Sequence, residues 1–114
     1  MAHLELALLG PFQATLDQQP LTDFRTEATR ALLAYLATRA GEDLRRDALA
    51  TLLWPEQTQE HALNNLRQTI HFVRRALNDL DAPVPFLLVT PQTLQFNPHA
   101  DYALDVNVLA SLDL

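Results

Sequence analysis

Asn64, Gln68, His71 and Arg75 recur three or four residues apart within His61–Asn78 (HALNNLRQTIHFVRRALN), and each can bond to a base edge or a phosphate. Arg forks onto guanine, Asn or Gln pairs with adenine, and an apolar group meets the thymine methyl. Wound at about 100° per residue, these four share one helical face. Asn65 and Phe72 lie along one flank of it, Arg67 and Arg74 along the other. Leu63, Leu66, Ile70, Val73 and Leu77 form the opposite stripe, the apolar back by which such a helix is held. It is the longest run in the chain that carries Arg without Asp or Glu. An ordinary surface helix with a solvated polar side has the same pattern, so the surrounding elements must decide.

Those elements follow in order. Residues 3–9 and 12–16 read as two short strands around the turn Gly10-Pro11. Asp17 to Pro20 is a second turn, and Leu21 to Phe24 is expected to add a third strand. From Thr26 the period becomes helical, with Ala28, Ala31, Leu32, Tyr35 and Leu36 on one face and Gly41 as a left-handed stop. A two-turn helix near Arg46 to Leu53 turns Leu49, Leu52 and Leu53 inward and ends at Trp54-Pro55. Two helices, a loop and a longer cationic helix are the order of a helix-turn-helix with an extended turn. The prolines and Asn78 after it break the third helix. FLLVT and TLQFN then form a hairpin about Pro91-Gln92. In the tail, Val106, Leu109 and Leu112 stand at helical spacing behind Asp105.

Bulk composition narrows the classes. The 114 residues suit one domain, and 48% hydrophobic against 19% charged residues argues against wholesale disorder. There are no cysteines, hence no disulfide framework or thiolate metal site. That fits a cytoplasmic protein. No run approaches the ~20 apolar residues of a membrane span. The net charge of −6 is unusual for a nucleic-acid binder. Yet residues 61–78 carry three Arg and no acid, so the rest of the chain sums to −9. All eight cations are Arg, the side chain suited to bidentate recognition of guanine and phosphate.

LALLGPFQATLD, FRTEATRALLAYLA, ALATLLWPEQ, NNLRQTIHFVRRAL and FLLVTPQTLQFNP, in this order and spacing, resemble the N-terminal DNA-binding domain of SARP-type bacterial transcriptional activators. The resemblance covers about residues 4–105. It implies an α/β (α+β) fold of the OmpR-like winged helix-turn-helix type: an N-terminal antiparallel sheet, three helices and a C-terminal β-hairpin wing. Residues 1–104 would be the domain, and 105–114 the start of a helix leading to a following domain. Residues 61–78 would be the recognition helix in the major groove, with the wing 86–97 on the backbone. Carried over position by position, Arg67, Gln68, His71 and Phe72 face the bases. Asn64, Asn65, Thr69, Arg74 and Arg75 hold phosphates, and Trp54 donates its indole N–H to one. The partner would be promoter duplex DNA carrying direct repeats, bound in tandem or as a dimer, with RNA polymerase reached through the full-length regulator. No cofactor is implied. The chain departs from the pattern where Phe72 replaces an expected Arg, where Pro91-Gln92 lacks a wing-tip Arg, and where Glu27 and Thr29 stand in place of a basic residue.

Each candidate also has a plainer use. Asn64, Asn65 and Gln68 could be solvated, and His71 could face solvent. Arg67 and Arg74 could pair with Glu56, Glu60 or Asp79. Phe72 could pack under the wing, and Trp54 could close a helix end. Catalysis finds no footing: His3, His61, His71 and His99 lack metal-ligand spacing, and there is no Gly-rich phosphate loop or nucleophile elbow. Two uses of the fold stay open, a sequence-specific duplex-DNA-binding domain and a module that docks another protein through Phe72, the neutral wing and the acidic body.

Overall fold

A computed structural model describes residues 2–80 and 82–106. The chain opens with three strands, β1 (Leu4–Ala7), β2 (Gln13–Leu16) and β3 (Gln19–Pro20). β1 and β2 pair antiparallel, Leu4 opposite Leu16. Asp17 and Gln18 both take positive φ, 51° and 69°, which bends β2 back onto β3 in a two-residue hairpin of the primed type. The third strand is therefore Gln19–Pro20, and the expected strand at Leu21–Phe24 is not formed. Its Phe24 is buried instead, meeting Phe12 edge-on at 5.4 Å.

Three helices follow: α1 (Glu27–Thr38), α2 (Arg46–Leu53) and α3 (Gln59–Ala76). Thr26 caps α1, its hydroxyl accepting from Thr29 N–H at 3.2 Å, as the Thr before the helical period leads one to expect. The buried face of α1 is Thr29, Leu32, Leu33, Leu36 and Ala37. It is rotated from the expected one: Ala31 is exposed and Tyr35 only half-buried. Gly41 is left-handed (φ 90°), but it lies beyond the cap residue Arg39, and its N–H donates to Phe96 O. In α2 the inward residues are Leu49 and Ala50, whereas Leu52 is 53% exposed. α1 and α2 both pack against α3.

Between α1 and α2 lies a short strand, β4 (Leu44–Arg45), and after α3 come β5 (Leu87–Val89), β6 (Thr93–Phe96) and β7 (Tyr102–Leu104). β5 and β6 form the expected hairpin, and β4 adds a third strand in the order β4-β6-β5. β7 crosses back to lie parallel to β1, Leu4 opposite Tyr102. The N-terminal sheet is thus mixed, in the order β3-β2-β1-β7, rather than purely antiparallel. The result is an α+β fold, with Leu32, Leu36, Leu66, Val73, Leu94 and Phe96 in one core. Of the expected helix at 105–114, Asp105 and Val106 are helical and the remainder lies outside the described residues.

Candidate nucleic-acid interface

The apolar spacing that predicts the third helix also decides which face it buries. Ala62, Leu66, Thr69, Ile70 and Val73 turn inward, with Leu77 behind them, and Leu63 is only half-buried. Thr58 starts the helix two residues earlier than expected, its hydroxyl accepting from His61 N–H at 3.2 Å. The helix stops at Ala76 because Asn78 adopts the left-handed conformation (φ 54°). Asp79 N–H then donates to Arg74 O at 2.8 Å and Asn78 N–H to Arg75 O at 3.1 Å, a Schellman closure.

Fixing the buried stripe fixes the outward one. Asn64, Arg67, Gln68, His71 and Arg75 are exposed together, with Asn65, Phe72 and Arg74 half-buried at the edges. Arg67 Nη1 donates to Asn64 Oδ1 at 3.3 Å, so these two side chains steady one another. Thr69 departs from expectation. It is 4% exposed and its hydroxyl donates to Asn65 O at 2.8 Å, which leaves nothing to hold a phosphate. The expected phosphate contact at Thr69 is withdrawn: a Thr whose hydroxyl returns to its own helix passes for an apolar residue. Trp54 closes α2, its backbone N–H donating to Ala50 O at 2.9 Å, and its half-buried ring packs on the core.

Pairing to acids, the plainer use of Arg67 and Arg74, does not occur: among the described residues neither lies within ion-pair distance of Glu56, Glu60 or Asp79. The acids that do pair with Arg sit elsewhere, as Glu27 with Arg30, Glu42 with Arg39 and Asp47 with Arg45. These pairs occupy α1, α2 and the turn between them. The remaining arginines are 25, 46, 67, 74 and 75, and every one belongs to α3 or lies beside it. Arg74 is half-buried with its Nε enclosed.

Arg25 and Arg46 were not singled out by their sequence context. Arg46 begins α2, and its Nε donates to Thr90 O at the hairpin turn at 3.0 Å while its backbone N–H donates to Gln92 O. Burial and the neighbouring Arg67 charge push its guanidinium below the usual arginine range. Arg46 therefore joins the start of α2, the wing turn and the outer face of α3. Arg25 stacks on Phe72, its guanidinium carbon 5.3 Å from the ring centroid. Phe72 packs, as expected of the plainer reading, but against Arg25 rather than under the wing.

The wing is anchored at its base by Asp79, 1% exposed, whose carboxylate accepts from Phe86 N–H at 2.7 Å and Leu87 N–H at 3.1 Å. Burial raises its pKa above the ordinary carboxylate value, against the pull of those two donors and of Arg74. The turn itself is closed by Thr90, whose hydroxyl accepts from Thr93 N–H at 2.8 Å. No group of three or more His, Asp or Glu side chains is disposed to hold a metal among the described residues. None of their helices is long and apolar enough to cross a membrane.

Residues 24–90 match the family model described as "Transcriptional regulatory protein, C terminal". Among solved structures, Mycobacterium tuberculosis EmbR in complex with a low affinity phosphopeptide superposes with a TM-score of 0.71 at 28% sequence identity. The match covers 90% of this chain and 27% of the EmbR chain, so this chain spans about a quarter of the length of that protein. No curated protein sequence gives a significant match.

Proposed function

We propose a function whose premise is family membership: this chain belongs to the family "Transcriptional regulatory protein, C terminal". The OmpR-like, SARP-type winged helix expected from the sequence is the fold found, and it is a domain of transcriptional regulators rather than of an enzyme class. Our reading is that it binds duplex DNA in a sequence-specific manner, with α3 in the major groove and the hairpin of β5 and β6 along the backbone. The observation that carries this reading is the outward row of Asn64, Arg67, Gln68, His71 and Arg75, exposed on a helix whose other side is locked into the core.

In this reading Gln68 and Arg67 meet base edges and Arg75 a phosphate, with Asn64 and His71 beside them. Asn65 and Trp54 border the contact. Such a regulator works in the cytoplasm on promoter duplexes, in tandem or dimeric array on direct repeats, with RNA polymerase engaged through the full-length regulator. The docking-module alternative leaned on Phe72 as an apolar anchor. Arg25 over that ring speaks against it.

With the arginines of α3, about three, near phosphates whether or not they bond to one, log K should fall with log salt at a slope of roughly −3 per monomer. A slope near zero on duplex DNA would sink the reading, as would binding unaltered by Gln68→Ala combined with Arg75→Ala.

A further inference from the structure

We propose that Arg25, seated on the ring of Phe72, forms with Arg75 a two-guanidinium clamp for one backbone phosphate, and that Phe72 is the platform of this clamp rather than a reader of bases. This deepens the DNA-binding reading and rests on it.

The geometry begins with the ring. Arg25 lies 5.3 Å from the Phe72 centroid, within the ~6 Å over which a guanidinium is drawn to an aromatic face. Phe72 and Arg75 are almost one helical turn apart on α3, and Arg25 and Arg75 line one open hollow of about 380 Å³ with Asp23, Phe72 and Ala76. One acid faces two arginines there, so the hollow carries a net positive charge. Among the described residues the ion pairs of arginine are made by Arg30, Arg39 and Arg45, which leaves both guanidiniums of the hollow with donors to give. A phosphodiester has two charged oxygens that accept charge-assisted bonds, and two forks aimed into one hollow match them.

The backbone supports this presentation. Arg25 has φ 58°, in the left-handed region that non-glycine residues seldom occupy. It is held between Phe24, which is 1% exposed, and Thr26, which caps α1. An arginine flanked by a buried ring and a helix cap starts from a fixed root. Stacking on Phe72 then fixes its far end, so little freedom is lost when a phosphate arrives. Phe72 is half-buried and already in contact with Arg25, which makes it a support and not a probe of the groove.

The test is fluorescence anisotropy of the 114-residue chain with a labelled random-sequence duplex across a salt series, since phosphate contacts do not depend on sequence. Arg25→Asn removes the guanidinium while keeping a residue that tolerates the left-handed backbone. The expected result is a salt slope shallower by about 0.9 and an affinity at 0.1 M salt lower by roughly eightfold, with the thermal midpoint unchanged. Phe72→Leu, which leaves the Arg25 backbone intact, should produce the same loss. Adding Phe72→Arg to Arg25→Asn should restore the slope by returning a guanidinium from the helix. An Arg25→Asn protein with wild-type slope and affinity, alongside an Arg75→Ala protein that loses both, would overturn the clamp and leave the DNA-binding reading standing. Full wild-type slope in Phe72→Leu would overturn the platform. A wild-type slope near zero would remove the reading on which both depend.

Discussion

Along the four-stranded sheet, exposed and half-buried carboxylates do the joining. Asp105 accepts from the N–H groups of Leu8 and Leu9, Asp17 from that of His3, and Asp101 from the His3 ring at 2.8 Å. The wing sheet is fastened differently. Residues 82–100 carry no charged side chain, and the hairpin is held from outside by buried Asp79 at its base and Arg46 at its tip. The contrast shows where the net charge of −6 resides. Acids gather on the sheet and on α1 and α2, where they bond backbone or neutralise Arg30, Arg39 and Arg45. The outward row of α3 from Asn64 to Arg75 carries arginines and no acid, and the nearest acids, Asp23 and Glu60, stand at its borders. An acidic protein can therefore present a cationic surface.

The contrast can be broken most severely at Asp79. Asp79→Ala orphans two buried N–H groups at about 1–3 kcal/mol each, so chemical denaturation should give a loss of about 2–6 kcal/mol. Next comes binding. Gln68→Ala with Arg75→Ala should cost roughly 2–3 kcal/mol in duplex affinity, about thirtyfold to somewhat over a hundredfold, with little change in stability.

A smaller and sharper effect lies in pH. Two backbone donors, Leu8 first, hold the Asp105 carboxyl below its ordinary pKa, so the folded state favours its charged form. Its contribution is present above the ordinary carboxylate pKa of about 4 and lost as pH falls through the depressed folded value. Asp79 titrates in the opposite sense. Its raised pKa means that its contribution is full below the ordinary value and lost as pH rises through the folded one. Denaturation midpoints of Asp105→Asn and wild type should therefore converge on acidification. Those of Asp79→Asn and wild type should separate in favour of wild type. The smallest effect is expected at Leu52→Lys, within about 0.5 kcal/mol, because Leu52 points to solvent and not inward.

The long periodic elements are legible in the sequence alone. α2 spans the expected Arg46–Leu53, α3 shifts by two residues, and the hairpin falls at Pro91-Gln92 as its turn chemistry dictates. What escaped was short or distant in sequence. β4 and β7 are two and three residues long and exist only through partners roughly 50 and 100 positions away, so no local pattern marks them. Thr29, which stands in place of an expected basic residue, and Thr69, an expected phosphate contact, are both buried because Thr26 and the Asn65 carbonyl satisfy their hydroxyls. Leu52 and Ala50 exchanged roles because a two-turn helix gives too few repeats to set its phase. The outward row of α3 was readable from its spacing. Arg25 and Arg46 were not, since each reaches that face from another element through tertiary contacts that no local spacing marks.

The most direct test is amide chemical-shift mapping of the labelled chain as duplex DNA is added. The predicted result is perturbation confined to residues 64–75, the wing turn at 90–93 and the Arg25 and Arg46 amides, with Glu5, Thr15 and Asp101 undisturbed. Shifts centred on the four-stranded sheet, with Gln68 and Arg75 silent, would contradict it.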